Sequence, residues 1–148
     1  MTPFTTLSAP QCGSARAVVY GLRERGARVR VLNRTPATAA TLARELGADG
    51  SGELGELAAT PHDVLVNTTS VGLRSDASPV DAQAIAPGAV VLDAVYDPAR
   101  TRLLRDAAER GARTVEGKWM LVHQAAAQLE LWTGRAAPID VMAEAFEA

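Results

Sequence analysis

Several residue types are scarce in this chain, and each scarcity excludes a class of protein. Only one of the 148 residues is a cysteine, Cys12, so no disulfide can form within the chain and a zinc site built on several thiolates is excluded. The two histidines, His62 and His123, lie too far apart in sequence to indicate a metal site. Lys118 is the only lysine, so any mechanism that needs a lysine has one candidate.

Charge and apolar runs are also limited. The formal net charge is −2 and the pI is about 5.7, which argues against a general nucleic-acid-binding protein with its basic face. No apolar run approaches the ~20 residues that span a bilayer, and the first residues lack the pattern of a signal peptide. We therefore expect a cytoplasmic protein without membrane or nucleic-acid partners. Apolar residues make up 47% of the chain and charged residues 22%, which predicts one folded domain over 1–148.

Helical and extended patterns alternate along the chain. Helical spacing predicts helices over 14–25, from Pro36 to Gly47, and over 101–110, 118–133 and 138–146; short strands are predicted over 29–32, 63–67, 89–93 and 113–115. Residues 4–7 make a poor first strand, because threonines stand where valine or isoleucine is expected. Strands separated by helices form β-α-β units, so the sequence predicts an α/β fold with a parallel sheet covered on both faces.

Ligands of such sheets bind beyond the carboxyl ends of the strands. Asn33-Arg34-Thr35 follows the second strand, where an arginine favours the 2′-phosphate of NADP; a solvated loop with Thr35 as helix N-cap is the alternative. The first β-α turn keeps only Gly13, although Ser14 at the helix start could hold an anion. Pro10 removes an amide donor from this turn, and Cys12 is interpreted as structural rather than reactive.

Later strand ends carry polar side chains of open interpretation. Residues 67–70 follow the third apolar strand, and either cap it or contact a ligand. The phenol of Tyr96 could donate to a substrate or merely pack. Trp119-Met120 and Trp132 could form a cofactor wall, although core packing is the simpler expectation, and His123 is expected to pack or to lie at the surface.

Taken together, these segments resemble the C-terminal, NADP-binding domain of shikimate dehydrogenase. The resemblance covers residues 13–148 and rests on motifs in the same order, Gly13–Tyr20, Val31–Thr35, Asp63–Leu73, Asp93–Pro98 and Glu116–Ala125, with 130–134 as the usual sequel. It implies a Rossmann-type, doubly wound parallel sheet with two C-terminal helices. It also implies a part in the NADPH-dependent reduction of 3-dehydroshikimate to shikimate.

The resemblance also assigns residues, though no catalytic residue and no metal ligand. Cofactor contacts fall on Gly13, Ser14, Asn33, Arg34, Thr35, Thr68, Thr69, Val95, Gly117 and Met120. Substrate contacts fall on Tyr96 and Gln124.

Two departures from the family shape the functional expectation. The family's substrate domain, which supplies a catalytic Lys-Asp pair, has no counterpart in the 148 residues, so the chain alone is expected to be inactive. The family's Gly-Ala-Gly-Gly turn aligns with Pro10-Gln11-Cys12-Gly13, which predicts weak NADP binding. A catalytically dead Rossmann module for interaction or regulation, and another small NADP-dependent reductase, stay as alternatives. Apolar residues on the last two helices predict either a homodimer or docking on a separate substrate domain.

Overall fold

A single parallel sheet organises the chain in the computed structural model, which describes residues 3–8 and 13–147. The strands are β1 (Pro3–Leu7), β2 (Arg28–Asn33), β3 (Gly50–Glu53), β4 (Val64–Asn67), β5 (Val90–Asp93) and β6 (Arg113–Val115). The helices are α1 (Gly13–Glu24), α2 (Pro36–Leu46), α3 (Arg102–Glu109), α4 (Lys118–Thr133) and α5 (Ile139–Glu147). Short 3-10 helices cover Leu54–Ala59 and Ala82–Ala84.

The strand order β3-β2-β1-β4-β5-β6, with every pair parallel, confirms the predicted α/β fold of the Rossmann type. The order reverses between β1 and β4, and that reversal opens a crevice at the carboxyl ends of these two strands. The predicted helices and apolar strands are all present, with ends that shift by one or two residues. Gly47 ends α2 in the left-handed conformation, with φ 67°, as a C-cap glycine does.

Two apolar layers hold the helices against the sheet. Leu7, Leu32, Leu65 and Val91 face α3 and the 3-10 helices, in a cluster that includes Leu57, Ile85 and Leu103. On the other face Val29 and Val31 pack against α1 and α2, through Ala15, Val19, Ala39 and Leu42. The strand side chains alternate between the two clusters because successive residues of a strand point to opposite faces.

Strand β1 lies at the centre of the sheet, although its threonines gave it a poor strand pattern in the sequence. Thr5 and Thr6 are buried, and within the described residues neither hydroxyl has a hydrogen-bond partner. The main chain of β1 nevertheless pairs on both sides, with β2 and with β4. Position at the centre of the sheet therefore outweighs the poor strand propensity of these threonines.

Strand β3 was not predicted, because Gly50-Ser51-Gly52-Glu53 offers no apolar residue. It forms at the sheet edge by main-chain pairing with β2, in the register Arg30 to Gly50. A Cβ on Gly52 would lie 2.5 Å from the Glu56 carboxylate, so the glycine leaves room for that side chain. Glu56 accepts a hydrogen bond from the Glu53 amide at 2.8 Å and pairs with Arg30 at 2.6 Å.

The last two helices form a hairpin that is attached to the sheet mainly at one end. In the described part of α4, only Val122 and Ala126 are buried, and both lie in the first two-thirds of the helix. Leu131 and Trp132, close to the turn between the helices, are 81% and 75% exposed, and Val141 of α5 is 61% exposed. The expectation that Trp132 packs in the core is therefore wrong. None of the described helices is long and apolar enough to cross a membrane.

Candidate functional site

The end of β2 is shaped by the side chain of Asn33. Its Nδ2 donates to the Ser8 carbonyl at 2.8 Å and to Ser8 Oγ at 3.2 Å, which ties β2 to the end of β1. Its Oδ1 accepts from the Thr35 amide at 2.8 Å and so closes a tight turn around Arg34. Because Asn33 is almost completely buried, the structure gives it a positioning role. Its predicted contact with a phosphate stays a prediction.

Arg34 stands at the tip of that turn with its side chain exposed. It forms no hydrogen bond or ion pair with any residue that the structure describes, whereas Arg16, Arg23 and Arg30 are all paired with carboxylates. Thr35 precedes α2 as its N-cap, but its side chain makes no capping hydrogen bond. A guanidinium that has no partner among the described residues and lies beside a helix N-terminus can bind an anion.

The end of β4 is held by its own polar side chains. The Thr68 hydroxyl donates to the Leu7 carbonyl at 2.6 Å and fixes the crevice between β4 and β1. Asn67 Oδ1 accepts from the amide and the hydroxyl of Thr69, at 3.0 and 2.8 Å. Residues 67–69 therefore cap the strand, and Thr69 also faces the cleft described below.

A buried carboxylate at the end of β5 joins three elements. Asp93 Oδ1 accepts from Asn67 Nδ2 at 2.8 Å and from the Val95 amide at 3.0 Å. Its Oδ2 accepts from the Thr101 hydroxyl at 2.6 Å, and Thr101 in turn is the N-cap of α3. Burial raises the pKa of the Asp93 carboxyl above its ordinary value, and the hydrogen bonds from Thr101, Val95 and Asn67 oppose that rise.

Gly117 brings the start of α4 against the end of β5. A Cβ at this position would lie 2.5 Å from the Val95 carbonyl oxygen and 2.8 Å from those of Ala94 and Asp93. Its φ of −62° is ordinary, so the glycine is required by close backbone approach and not by conformation. The contact fixes where Met120, one turn further along α4, projects.

These elements enclose a cleft of about 280 Å³. Five of its lining residues were assigned to the cofactor and one, Tyr96, to the substrate. The lining consists of Ser14, Thr68, Thr69, Ser70, Leu73, Ala94, Val95, Tyr96 and Met120. The fold thus brings residues that are far apart in sequence, such as Ser14 and Met120, to one site.

The predicted substrate residues occupy different places around this cleft. Tyr96 lies in its wall, and its ring packs edge-on against Phe146 of α5 at 6.1 Å between centroids. Gln124 is exposed on α4, four residues beyond Met120 and hence on the same side of the helix. It does not line the cleft itself.

Other candidate residues lie elsewhere. Lys118 pairs with Glu116 at 3.5 Å and lies 5.5 Å from the Trp119 ring centroid. His62 is buried between Thr60 and Ala86, and His123 is exposed beside Trp119. Among the described residues, no group of histidine, cysteine and carboxylate side chains could hold a metal ion.

The first β-α turn is only partly described. The predicted loss of phosphate contacts at Pro10, and the interpretation of Cys12, lie outside the described residues. Gly13 begins α1, and a Cβ at this position would meet no described atom within 4 Å.

Sequence reasoning missed several residues that build the site. Asp93 and Thr101 were not assigned a role, although an aspartate as the last residue of an apolar strand is a signal for a hydrogen-bond network at the strand end. Leu73 was quoted only as part of a motif, yet it lines the cleft.

Comparison with known proteins gives one consistent result. Residues 117–145 match the family model for the shikimate 5′-dehydrogenase C-terminal domain. A shikimate dehydrogenase (NADP(+)) of Haloarcula marismortui is 50% identical over 133 residues, covering 88% of this chain and 50% of the relative. The chain thus spans about half the length of the curated relatives it matches.

Solved structures of two related enzymes are similar to nearly the whole of this chain. Shikimate 5-dehydrogenase from Thermus thermophilus, in complex with NADP(H) and shikimate, superposes with a TM-score of 0.89 at 39% identity, over 97% of this chain and 54% of that one. A 5-ketofructose reductase of a Gluconobacter strain superposes with a TM-score of 0.85 at 32% identity, over 99% and 56%.

Proposed function

The chain belongs to the shikimate dehydrogenase family, in which it corresponds to the C-terminal domain, and from this premise we propose that it binds NADP(H) at the carboxyl ends of its strands. The observation that carries the proposal is the cleft, because it gathers Ser14, Thr69, Val95 and Met120 at the place where a Rossmann fold binds a nucleotide. The Thermus relative, with its bound NADP(H), adds support.

The two halves of the dinucleotide fall on different residues. Arg34, exposed and unpaired within the described part of the chain, holds the 2′-phosphate of the adenosine half. The start of α1 faces the pyrophosphate, where helix amides and the helix dipole favour negative charge. The nicotinamide half enters the cleft between Tyr96 and Met120. When bound, NADPH supplies a hydride, and this chain binds and orients the ring that carries it.

The whole protein is proposed to reduce 3-dehydroshikimate to shikimate with a second domain. Within the described residues, the cleft wall contains no lysine, aspartate or histidine that could act as general acid, and Tyr96 is its one ionisable side chain. Tyr96 is assigned to the substrate, and the proton donor is assigned to the second domain, as the resemblance implies. Tyr96 and Gln124 are proposed to orient the substrate, as the resemblance implies.

Cofactor selectivity tests the proposal through Arg34. Arg34→Ala is expected to weaken NADP binding about 10- to 100-fold, because charge-assisted hydrogen bonds to a phosphate contribute roughly 1.5–3 kcal/mol. NAD binding should change less than about twofold, since NAD lacks the 2′-phosphate. Titration calorimetry with NADP, NAD and adenosine 2′,5′-bisphosphate measures all three affinities.

Arg44→Ala is the matched control, because Arg44 is also exposed and unpaired within the described residues but lies in the last turn of α2. It removes the same charge and should leave the preference for NADP unchanged. A wild-type chain that favours NAD, or an Arg34 variant that still favours NADP, contradicts the assignment of this turn.

The helical hairpin is proposed to dock the chain on a partner. Leu131, Trp132 and Val141 are largely exposed near the turn between α4 and α5, and we interpret this apolar surface as an interaction site. In the full-length protein the partner is the substrate domain. The isolated chain uses the same surface twice, in a two-fold dimer.

Self-association should therefore depend on the hairpin. The purified chain is expected to change from monomer to dimer over a tenfold range of concentration in light-scattering measurements. Trp132→Glu should hold it monomeric, because a charge cannot be buried there without a partner. Tyr20→Glu serves as control, since Tyr20 is an exposed aromatic residue on α1, outside the hairpin. A mass that stays monomeric, or that Tyr20→Glu lowers equally, contradicts the dimer.

A further inference from the structure

The turn that follows β4 is fastened to the segment that follows β5 by one pair of residues. The Arg74 amide donates to the Asp97 carbonyl at 3.0 Å. Its Nε donates to the Asp97 carboxylate at 3.2 Å. Both side chains are exposed, so the ion pair itself contributes little and the backbone bond is the main fastening.

The backbone of Arg74 is unusual at this point. Its φ is +50°, and it is the one residue other than glycine with a positive φ in the part of the chain that the structure describes. Side chains disfavour this left-handed region, and surrounding contacts have to hold them there. The turn supplies such contacts through Leu73 N to Ser70 O at 3.1 Å and Ser75 N to Gly72 O at 3.3 Å.

Each member of the pair directly follows a residue of the cleft wall. Leu73 precedes Arg74 and Tyr96 precedes Asp97, and both Leu73 and Tyr96 line the cleft. Both are large and only about half-buried. The Arg74–Asp97 contact therefore joins two wall segments that come from different strands.

We propose that Arg74 is a positioning residue that, through Asp97, fixes the distance between Leu73 and Tyr96 and so seats the nicotinamide ring. This inference rests on the proposed NADP-binding function. The cleft, of about 280 Å³, is just below the roughly 300–1,000 Å³ of typical ligand pockets, and we assign the nicotinamide ring to it. The adenosine half, at Arg34, lies outside the cleft and should not sense the pair.

A pair of variants at position 74 separates the turn geometry from the arginine side chain. Arg74→Gly keeps the amide donor and adopts a positive φ without strain. Arg74→Pro removes the donor and fixes φ near −65°. We expect Arg74→Pro to weaken NADPH binding at least fivefold and Arg74→Gly to change it less than twofold. Adenosine 2′,5′-bisphosphate should bind all three proteins equally, because it has no nicotinamide.

Fluorescence of the NADPH nicotinamide gives a second readout, since its change on binding should be lost in Arg74→Pro and kept in Arg74→Gly. Leu73→Ala tests the wall directly and does not alter the turn. It should weaken NADPH binding and leave bisphosphate binding unchanged. Thermal melting establishes that each variant is folded.

The outcomes separate this inference from the function on which it rests. If the wild-type chain binds neither NADPH nor the bisphosphate, the proposed function fails, and the inference fails with it. If the wild type binds both, the inference alone is overturned by an Arg74→Pro protein that binds NADPH normally. It is equally overturned if Arg74→Pro and Leu73→Ala reduce NADPH and bisphosphate binding to the same extent.

Discussion

Gly117→Ala is expected to lower the free energy of unfolding by about 2–3 kcal/mol, the cost of forcing extra volume into a packed site. The new methyl group would lie 2.5–2.8 Å from three carbonyl oxygens at the end of β5, distances that no carbon–oxygen contact tolerates. These oxygens belong to backbone that the Asp93 network holds in place, so it is α4 that has to move. Urea unfolding followed by circular dichroism measures the loss.

Gly117→Ala should also change the cleft and weaken NADPH binding. If α4 moves away from β5, Met120 leaves the cleft wall, and NADPH binding should weaken more than adenosine 2′,5′-bisphosphate binding. Gly55→Ala is the matched control, because a Cβ on Gly55 meets no atom within 4 Å. A Gly117→Ala protein as stable as the Gly55→Ala protein would mean that the contact between α4 and β5 is looser than the structure places it.

Apolar strands and capped helices made most of this fold predictable. The apolar pattern predicts buried strands at Val64–Asn67 and Val90–Asp93. Two helices end at Gly47 and Gly134, which adopt the left-handed conformation of a C-cap glycine. Strand β3 was not predictable by such patterns, because an edge strand can form through main-chain hydrogen bonds alone. The position of β3 depends on its pairing with β2, and the local sequence Gly50–Glu53 carries no signal of that pairing.

Part of the cleft lining was expected from the sequence, but the hydrogen bonds that its polar residues form were not. The resemblance assigned Asn33, Thr68 and Thr69 to the cofactor, and the structure shows their polar atoms already bonded within the protein. Arg34 differs, since its guanidinium makes no such bond to the described residues. Whether a polar side chain faces a ligand or caps a strand depends on neighbours far away in sequence, and spacing cannot decide it.

Asp93 is the clearest example of a polar side chain whose role depends on residues far away in sequence. Its replacement is the second substitution for which we expect a large loss of stability. Asp93→Ala should cost about 3–4 kcal/mol of stability, because it leaves Asn67 Nδ2, the Val95 amide and the Thr101 hydroxyl buried without acceptors. Asn67 in turn orients Thr69, so the cleft should loosen and NADPH affinity should fall. Asp63→Ala is the control, since Asp63 is exposed and its side chain forms no hydrogen bond within the described residues.

Asp93→Asn distinguishes the loss of charge from the loss of hydrogen bonds. The asparagine keeps one acceptor oxygen for Asn67 and Val95, and its amide can donate to the Thr101 oxygen, so the cost should stay within about 1 kcal/mol at neutral pH. Its effect should depend on pH with a defined sign. Because the pKa of Asp93 is raised in the folded state above the ordinary 3.8, the folded chain binds the proton more tightly than the unfolded chain does.

The stability that Asp93 contributes through this proton is thus fully present below pH 3.8 and is lost as the pH rises through the raised pKa. Relative to wild type, Asp93→Asn should become more stable across that interval and then stay level, because asparagine resembles the protonated acid and carries no charge to desolvate. Unfolding of both proteins by urea at a series of pH values measures the difference. A difference that is independent of pH would show that the hydrogen bonds from Thr101, Val95 and Asn67 balance burial at this carboxylate. A difference that grows in favour of the wild type as the pH rises would show that these hydrogen bonds outweigh burial.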